Sequence, residues 1–166
     1  MKSEGIGRQL RPSQPDQWLH VAVRYLARWD RTAAQVENFL KNKGATPAQV
    51  KQTISRLAEL RYLNDCAFAQ RWIESRFARK PMGRERLRAE LLARGITESL
   101  ADHAIREALR GVDEEALARR ALRVKQGRGS RLGRVRAARL LRQRGFEQET
   151  IDRIIGSRGQ SMGIDG

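Results

Sequence analysis

The sequence predicts an all-α protein of three tandem three-helix repeats, an elongated array with room for curvature. Three observations carry that prediction. Glycines recur at a near-constant interval, Gly44, Gly95 and Gly145, 51 and 50 residues apart. Apolar residues sit at matching offsets around them: Val36, Leu87 and Ala137 eight before, Leu40, Leu91 and Leu141 four before, Val50, Ala101 and Ile151 six after, Ile54, Ile105 and Ile155 ten after. Strand signals are nearly absent, with no clean alternation of β-branched residues. A period near fifty that holds at so many offsets marks an array of supersecondary units.

In the first repeat, 17–62, a helix is expected over about Trp18–Trp29. Thr32 opens a second helix as an acceptable N-cap, with Val36 and Leu40 on one face. Lys43-Gly44 closes it: glycine adopts a positive φ cheaply at the C′ position, and the cation before it meets the negative end of the helix dipole. Thr46-Pro47-Ala48-Gln49 opens a third helix as a capping box with proline at the first helical position. The second repeat, 63–110, starts with a helix over Asp65–Arg79, then runs from the Gly83 cap through Leu87 and Leu91 to Arg94-Gly95, and on through Ala101 and Ile105. The third, 111–156, repeats the plan with Asp113–Gln126, the Gly133 cap, Ala137 and Leu141, Arg144-Gly145, then Ile151 and Ile155. Residues 1–16 and 157–166, rich in glycine and proline or in glycine alone, read as flexible tails. Modules of this size are near the lower limit of independent stability, so they are expected to lean on one another over a length on the order of 60 Å.

Composition limits the function classes. The 166 residues carry 34 Lys+Arg against 19 Asp+Glu, a net charge of +15. A surplus of that size acts on partners and favours a polyanion or an acidic surface. It is also concentrated: Arg119 to Arg144 holds eleven basic residues and no acidic one, and Arg71 to Arg94 holds eight against three. Arginine dominates, and a planar guanidinium suits bidentate contact with phosphate or carboxylate. One cysteine, Cys66, excludes an intramolecular disulfide framework and an all-cysteine metal site. The longest apolar run, Cys66-Ala67-Phe68-Ala69, is far short of the ~20 residues of a membrane-spanning helix. Met1 to Gln14 offers no apolar stretch for a signal-peptide core. A soluble, cytoplasmic chain is expected.

Catalytic constellations find little support. His20 and His103 fall in different repeats with no nearby nucleophile, and Cys66 beside Phe68 reads as a small core residue. Glu114 and Glu115 follow Asp113 at a helix start, where carboxylates complement the dipole. Gly127-Arg128-Gly129-Ser130 lacks the lysine-hydroxyl ending of a phosphate loop and reads as a connector. Trp18, Trp29 and Trp72 read as inter-helix packing, with base stacking as the alternative use of aromatics beside arginines.

In order along the chain, Tyr25-Leu26-Ala27-Arg28, Lys43-Gly44, Tyr62-Leu63-Asn64-Asp65 followed by Phe68-Ala69, Arg76 with Gly83, Glu90-Leu91 to Arg94-Gly95-Ile96, and Arg144-Gly145-Phe146 with Ile151 resemble the RecX family, bacterial regulators of the RecA recombinase. The resemblance spans about residues 18 to 156. It departs from the family pattern at Arg61-Tyr62-Leu63-Asn64-Asp65, where the family usually shows glycine first and aspartate fourth; the turn stays polar and Asp65 remains available as a cap. The resemblance implies a three-repeat helical protein that binds RecA filaments on DNA, inhibits recombinase and ATPase activity, and limits filament growth. Partners expected on that basis are the RecA filament and, through it, single-stranded DNA. A monomer that is not an enzyme, with no cofactor, metal or membrane partner, is expected. For the binding surface the arginine-rich stretches single out Arg84, Arg88, Arg94, Arg131, Arg134, Arg139, Arg142 and Arg144. Charge alone also allows a direct, sequence-nonspecific DNA- or RNA-binding protein with no recombinase target, whose affinity falls steeply with salt.

Overall fold

The computed structural model describes residues 14–126 and 132–160; residues 1–13, 127–131 and 161–166, which include most of both expected tails and the Gly127–Ser130 connector, lie outside the described residues. Nine α-helices and no strands occur among the described residues. They are α1 (Gln14–Leu26), α2 (Ala33–Asn42), α3 (Pro47–Glu59), α4 (Asp65–Arg79), α5 (Arg84–Leu92), α6 (Glu98–Leu109), α7 (Glu114–Gln126), α8 (Arg134–Gln143) and α9 (Gln148–Gln160). Helix thus takes in residues 14–16 and 157–160, which the sequence reading placed in the tails. Asp65 is the first residue of α4, where its charge faces the positive end of the helix dipole.

The turn chemistry follows the sequence closely. Thr32 and Thr46 each accept from the backbone N–H three residues on, while Gln35 and Gln49 reach back to the cap N–H, completing two capping boxes. Gly44, Gly95 and Gly145 have positive φ, at +93°, +79° and +73°. Each closes a Schellman motif: Ala45, Ile96 and Phe146 donate to Leu40, Leu91 and Leu141, and the three glycines donate to Lys41, Leu92 and Arg142. Ala45, Ile96 and Phe146 are themselves buried, which adds the apolar contact that accompanies the motif. A fourth motif ends α3, where Arg61 donates to Ala58 and Tyr62 to Leu57. Arg61 holds φ +60°, the only positive φ at a non-glycine residue among those described. This is the position where the resemblance expects glycine, and the left-handed conformation supplies the physical reason.

The chain divides into two compact units, up to Asn64 and from Asp65 onward. In the first, α1 and α2 both pack on α3, around Ala22, Val36, Leu40, Ala45, Val50, Leu57 and Leu63. The second unit holds two bundles. In α4–α6 the core runs through Phe68, Ile73, Met82, Leu87, Leu91, Ile96 and Ile105. In α7–α9 it runs through Leu117, Leu122, Ala137, Leu141, Phe146, Ile151 and Ile154. Phe77 and Leu109 pack against both clusters and make the two bundles one body.

A backbone contact locks that body together. Gly83, the N-cap of α5, offers no side-chain cap. Instead the Gly83 N–H donates to the Arg144 carbonyl at 2.8 Å and the Glu85 N–H donates to the Gly145 carbonyl at 3.2 Å. Carbonyls at the end of α8 thereby satisfy orphan donors at the start of α5, and the two helix dipoles meet with opposite signs. There is no room for a side chain at either glycine. A Cβ on Gly83 would lie 2.2 Å from the Gly145 oxygen, and one on Gly145 would lie 2.2 Å from the Arg86 nitrogen. Gly133, the corresponding N-cap of α8, has no described residue within 4 Å of such an atom.

Two stability outcomes are expected from denaturant melts. Gly83→Ala destabilises by about 1–3 kcal/mol through backbone overpacking, whereas Gly133→Ala stays within about 1 kcal/mol of the parent. Arg61→Gly stabilises by about 1 kcal/mol by relieving the left-handed strain.

Candidate functional site

The eight arginines singled out by charge fall into three environments, and one lies outside the described residues, namely Arg131. The arginines of α5 carry their own counter-ions. Arg84 pairs with Glu147 at 3.6 Å, and Arg88 pairs with Asp102 at 2.8 Å and with Glu98 at 3.4 Å. The hydrogen bond and charge of Asp102 raise the Arg88 guanidinium above its ordinary value. Exposed pairs of this kind are worth little individually, but they cancel the local field that a polyanion would meet.

Arg94 and Arg144 serve the interior. On α4, Phe68, Trp72 and Arg76 follow one another at four-residue spacing along one stripe. The Trp72 ring stacks near Phe68 and carries two guanidiniums, Arg76 at 4.2 Å and Arg94 at 3.5 Å from its centroid. Glu90 holds both in place: its carboxylate accepts from Arg76 Nε at 2.9 Å and from Arg86 Nε at 3.3 Å, while its carbonyl accepts from Arg94 Nη1 at 2.6 Å. Burial is the main cause that lowers the Arg94 pKa; Glu90 opposes it and Arg76 adds to it. Trp72 is therefore a packing residue. Arg144 is 7% exposed, with Nη1 donating to the Pro81 carbonyl at 3.2 Å.

Helix α8 is different. Burial of Ala137 and Leu141 turns one stripe inward and leaves Arg134, Arg136, Arg139 and Arg142 exposed. Arg142 donates to the Gln148 side chain at 3.3 Å. Arg134, Arg136 and Arg139 have no hydrogen-bond or ion-pair partner among the described residues, and the helix contains no carboxylate. Val135, 79% exposed, lies among them. Arg123, near the end of α7, is likewise exposed without a partner there. Of the selected residues, the structure brings Arg134, Arg139 and Arg142 together on one helix. Arg136 was missed, although the three- and four-residue spacing of exposed positions around Ala137 and Leu141 marks it as equally outward.

His20 and His103 are exposed, and Cys66 is half-buried and free rather than a core residue. Trp29 is 69% exposed, which corrects the packing role expected for it: it lies beyond the end of α1 and outside the first core. No group of three or more His, Cys, Asp or Glu placed to hold a metal occurs among the described residues. Glu115 pairs with Arg119 and Arg153. Glu114 does more than complement a dipole. It is half-buried, and desolvation first, then the charge of Glu147, raises its pKa despite hydrogen bonds with the Glu147 backbone and the Thr150 side chain.

With that geometry in place, known proteins supply the context. The family model for the first three-helix domain of RecX matches residues 19–57, and that for the second matches residues 64–105. The regulatory protein RecX of Chlorobaculum tepidum is 35% identical over 133 residues, which cover 78% of this chain and 81% of that one. The chain belongs to the RecX family. RecX of Chromohalobacter salexigens is also 35% identical, over 134 residues, 78% of this chain and 85% of its own. The fold agrees as well: the crystal structure of RecX from Lactobacillus salivarius matches with a TM-score of 0.70 at 21% identity, covering 89% of this chain and 97% of that one. The regions matched by the family models take in most of α1–α6, including the Trp72–Glu90 cluster.

A pH dependence follows from Glu114. Its raised pKa means that the folded state holds a proton more tightly than the unfolded chain, so stability present below the ordinary glutamate range, about 4.3, declines as pH rises through the folded value. Glu114→Gln is expected to raise the melting temperature at pH 7 and to leave it unchanged below about pH 4, as read by thermal melts across that range.

Proposed function

We propose that this RecX-family chain inhibits the RecA recombinase by binding RecA–DNA filaments, limiting filament growth, ATP hydrolysis and strand exchange. The observation that carries the reading is the α8 face: Arg134, Arg139 and Arg142 project from a helix with no carboxylate, while the arginines of α5 are neutralised by their neighbours. A cationic row of that kind is unfavourable by itself and is offset by a polyanionic lattice. The family resemblance supplies the target. The repeats 17–62, 63–110 and 111–156 act as successive contacts whose weak individual affinities add through effective concentration along the filament. The protein works in this reading as a cytoplasmic, non-enzymatic monomer, and single-stranded DNA is met together with the filament.

The test is a titration of RecA-dependent, DNA-stimulated ATP hydrolysis. The parent chain is expected to suppress it at concentrations comparable with RecA. The combination Arg134→Glu, Arg139→Glu and Arg142→Glu is expected to raise the half-inhibiting concentration at least tenfold while circular dichroism stays unchanged. RecA turnover that is indifferent to the parent chain would remove the filament reading. Salt-sensitive binding to bare DNA in that case would favour the direct nucleic-acid reading instead.

A further inference from the structure

Where the two bundles of the second unit meet, a cleft of about 620 Å³ is lined by Lys80, Met82, Arg86, Leu140, Gln143 and Arg144. Among the described residues its three ionisable side chains are all cations, and no carboxylate lines it. The position of Arg144 is the unusual feature. The residue is more than nine-tenths buried, yet among the described residues Nη1 donates to the Pro81 carbonyl and Nε is enclosed without an acceptor. No carboxylate lies within ion-pair distance of it among the described residues. Burial is accordingly the sole cause that lowers its pKa. A buried guanidinium with no counter-ion is costly, and an anion in the adjoining space relieves that cost.

Of the other two cations, Lys80 is exposed and has no partner among the described residues. Arg86 is also exposed, but like the rest of α5 its charge is met, by Glu90 through Nε at 3.3 Å, so it offers the cleft only its remaining N–H donors. Gln143 adds an amide donor at the rim.

We propose that this cleft is a phosphate-binding pocket, and that its occupant is a backbone phosphodiester of a single-stranded nucleic acid. The chemical class follows from a desolvated guanidinium without a counter-ion, Arg144, lining the same cleft as the unpaired ammonium of Lys80, with Met82 and Leu140 as its apolar lining. The choice of a strand over a free phosphate follows from α8. Arg136, Arg139, Leu140 and Gln143 fall at three- and four-residue spacing on one helix stripe, so two unpaired arginines lead directly away from the pocket. A lone anion uses the pocket and ignores that row, whereas a strand presents a phosphate to each. This deepens the polyanion part of the function proposed above, and it holds for nucleic acid without RecA.

The test measures fluorescence anisotropy of a labelled fifteen-nucleotide oligothymidylate with the full chain, without RecA, over a range of salt. Two variants at exposed positions are used, with thermal melts to verify folding. Lys80→Ala is expected to weaken binding several-fold and to lower the magnitude of the salt slope by about 0.7, the share of one contact on a single strand. Gln143→Glu, which places an anion at the rim, is expected to weaken it at least tenfold at unchanged or higher melting temperature. Unaltered affinity in Gln143→Glu overturns the pocket, even if reversals elsewhere on α8 reduce binding. Stabilisation by inorganic phosphate with no oligonucleotide binding overturns the strand assignment, as does stronger competition by polyglutamate than by unlabelled oligothymidylate. The filament reading is judged separately by RecA ATP hydrolysis with the parent chain, so failure of one leaves the other readable.

Discussion

The second unit depends on two backbones meeting without side chains between them. Helix α5 starts at a glycine that has nothing of its own to cap with, and the missing acceptors are the carbonyls of Arg144 and Gly145. Such close approach demands glycine on both sides, and at Gly145 the positive φ of the Schellman turn demands it a second time. One residue therefore ends α8, lets α5 begin and sets the spacing of the two bundles. Because Arg144 immediately precedes it, the same contact draws a guanidinium under Pro81 and into the interior. Glu147, two residues beyond, lies beside Arg84.

The three repeats illustrate how one plan diverges when neighbours differ. At the same offset before the turn glycine stand Thr32, Gly83 and Gly133. Thr32 is fully buried and caps α2 with its own hydroxyl. Gly83 is capped by another bundle, and Gly133 has no described residue against it. Thr32 keeps its side chain where the helix start satisfies itself, and Gly83 lacks one where a foreign backbone takes over; Gly133 has neither kind of cap among the described residues.

Charge is divided by the same logic. In α5–α6 and around Glu90, arginines meet carboxylates or aromatic faces within the bundle, so they contribute geometry more than field. On α8 the arginines have no carboxylate or aromatic partner among the described residues, and the positive potential projects outward. A net charge of +15 is thus not spread evenly over a solvated surface. It is cancelled in one stretch and left standing in another.

Most of the architecture was legible because its signals are local. The caps at Thr32 and Thr46, the turn glycines and the helix over Asp65–Arg79 each depend on residues a few positions apart, and the 50-residue period is the same local pattern written three times. Arg61 was visible as an anomaly from resemblance alone, and its φ explains it. The fate of individual charges was not legible. Arg88 and Arg134 look alike in sequence, yet one pairs with Asp102 on the next helix and the other has no carboxylate partner among the described residues. Arg144 reads as one more cation in a basic run until Gly83 is placed against its carbonyl. Periodicity and capping act over a single turn, so the chain determined its helices by itself; pairing and burial act between helices distant in sequence, so only the tertiary structure decided which arginines remain for a partner.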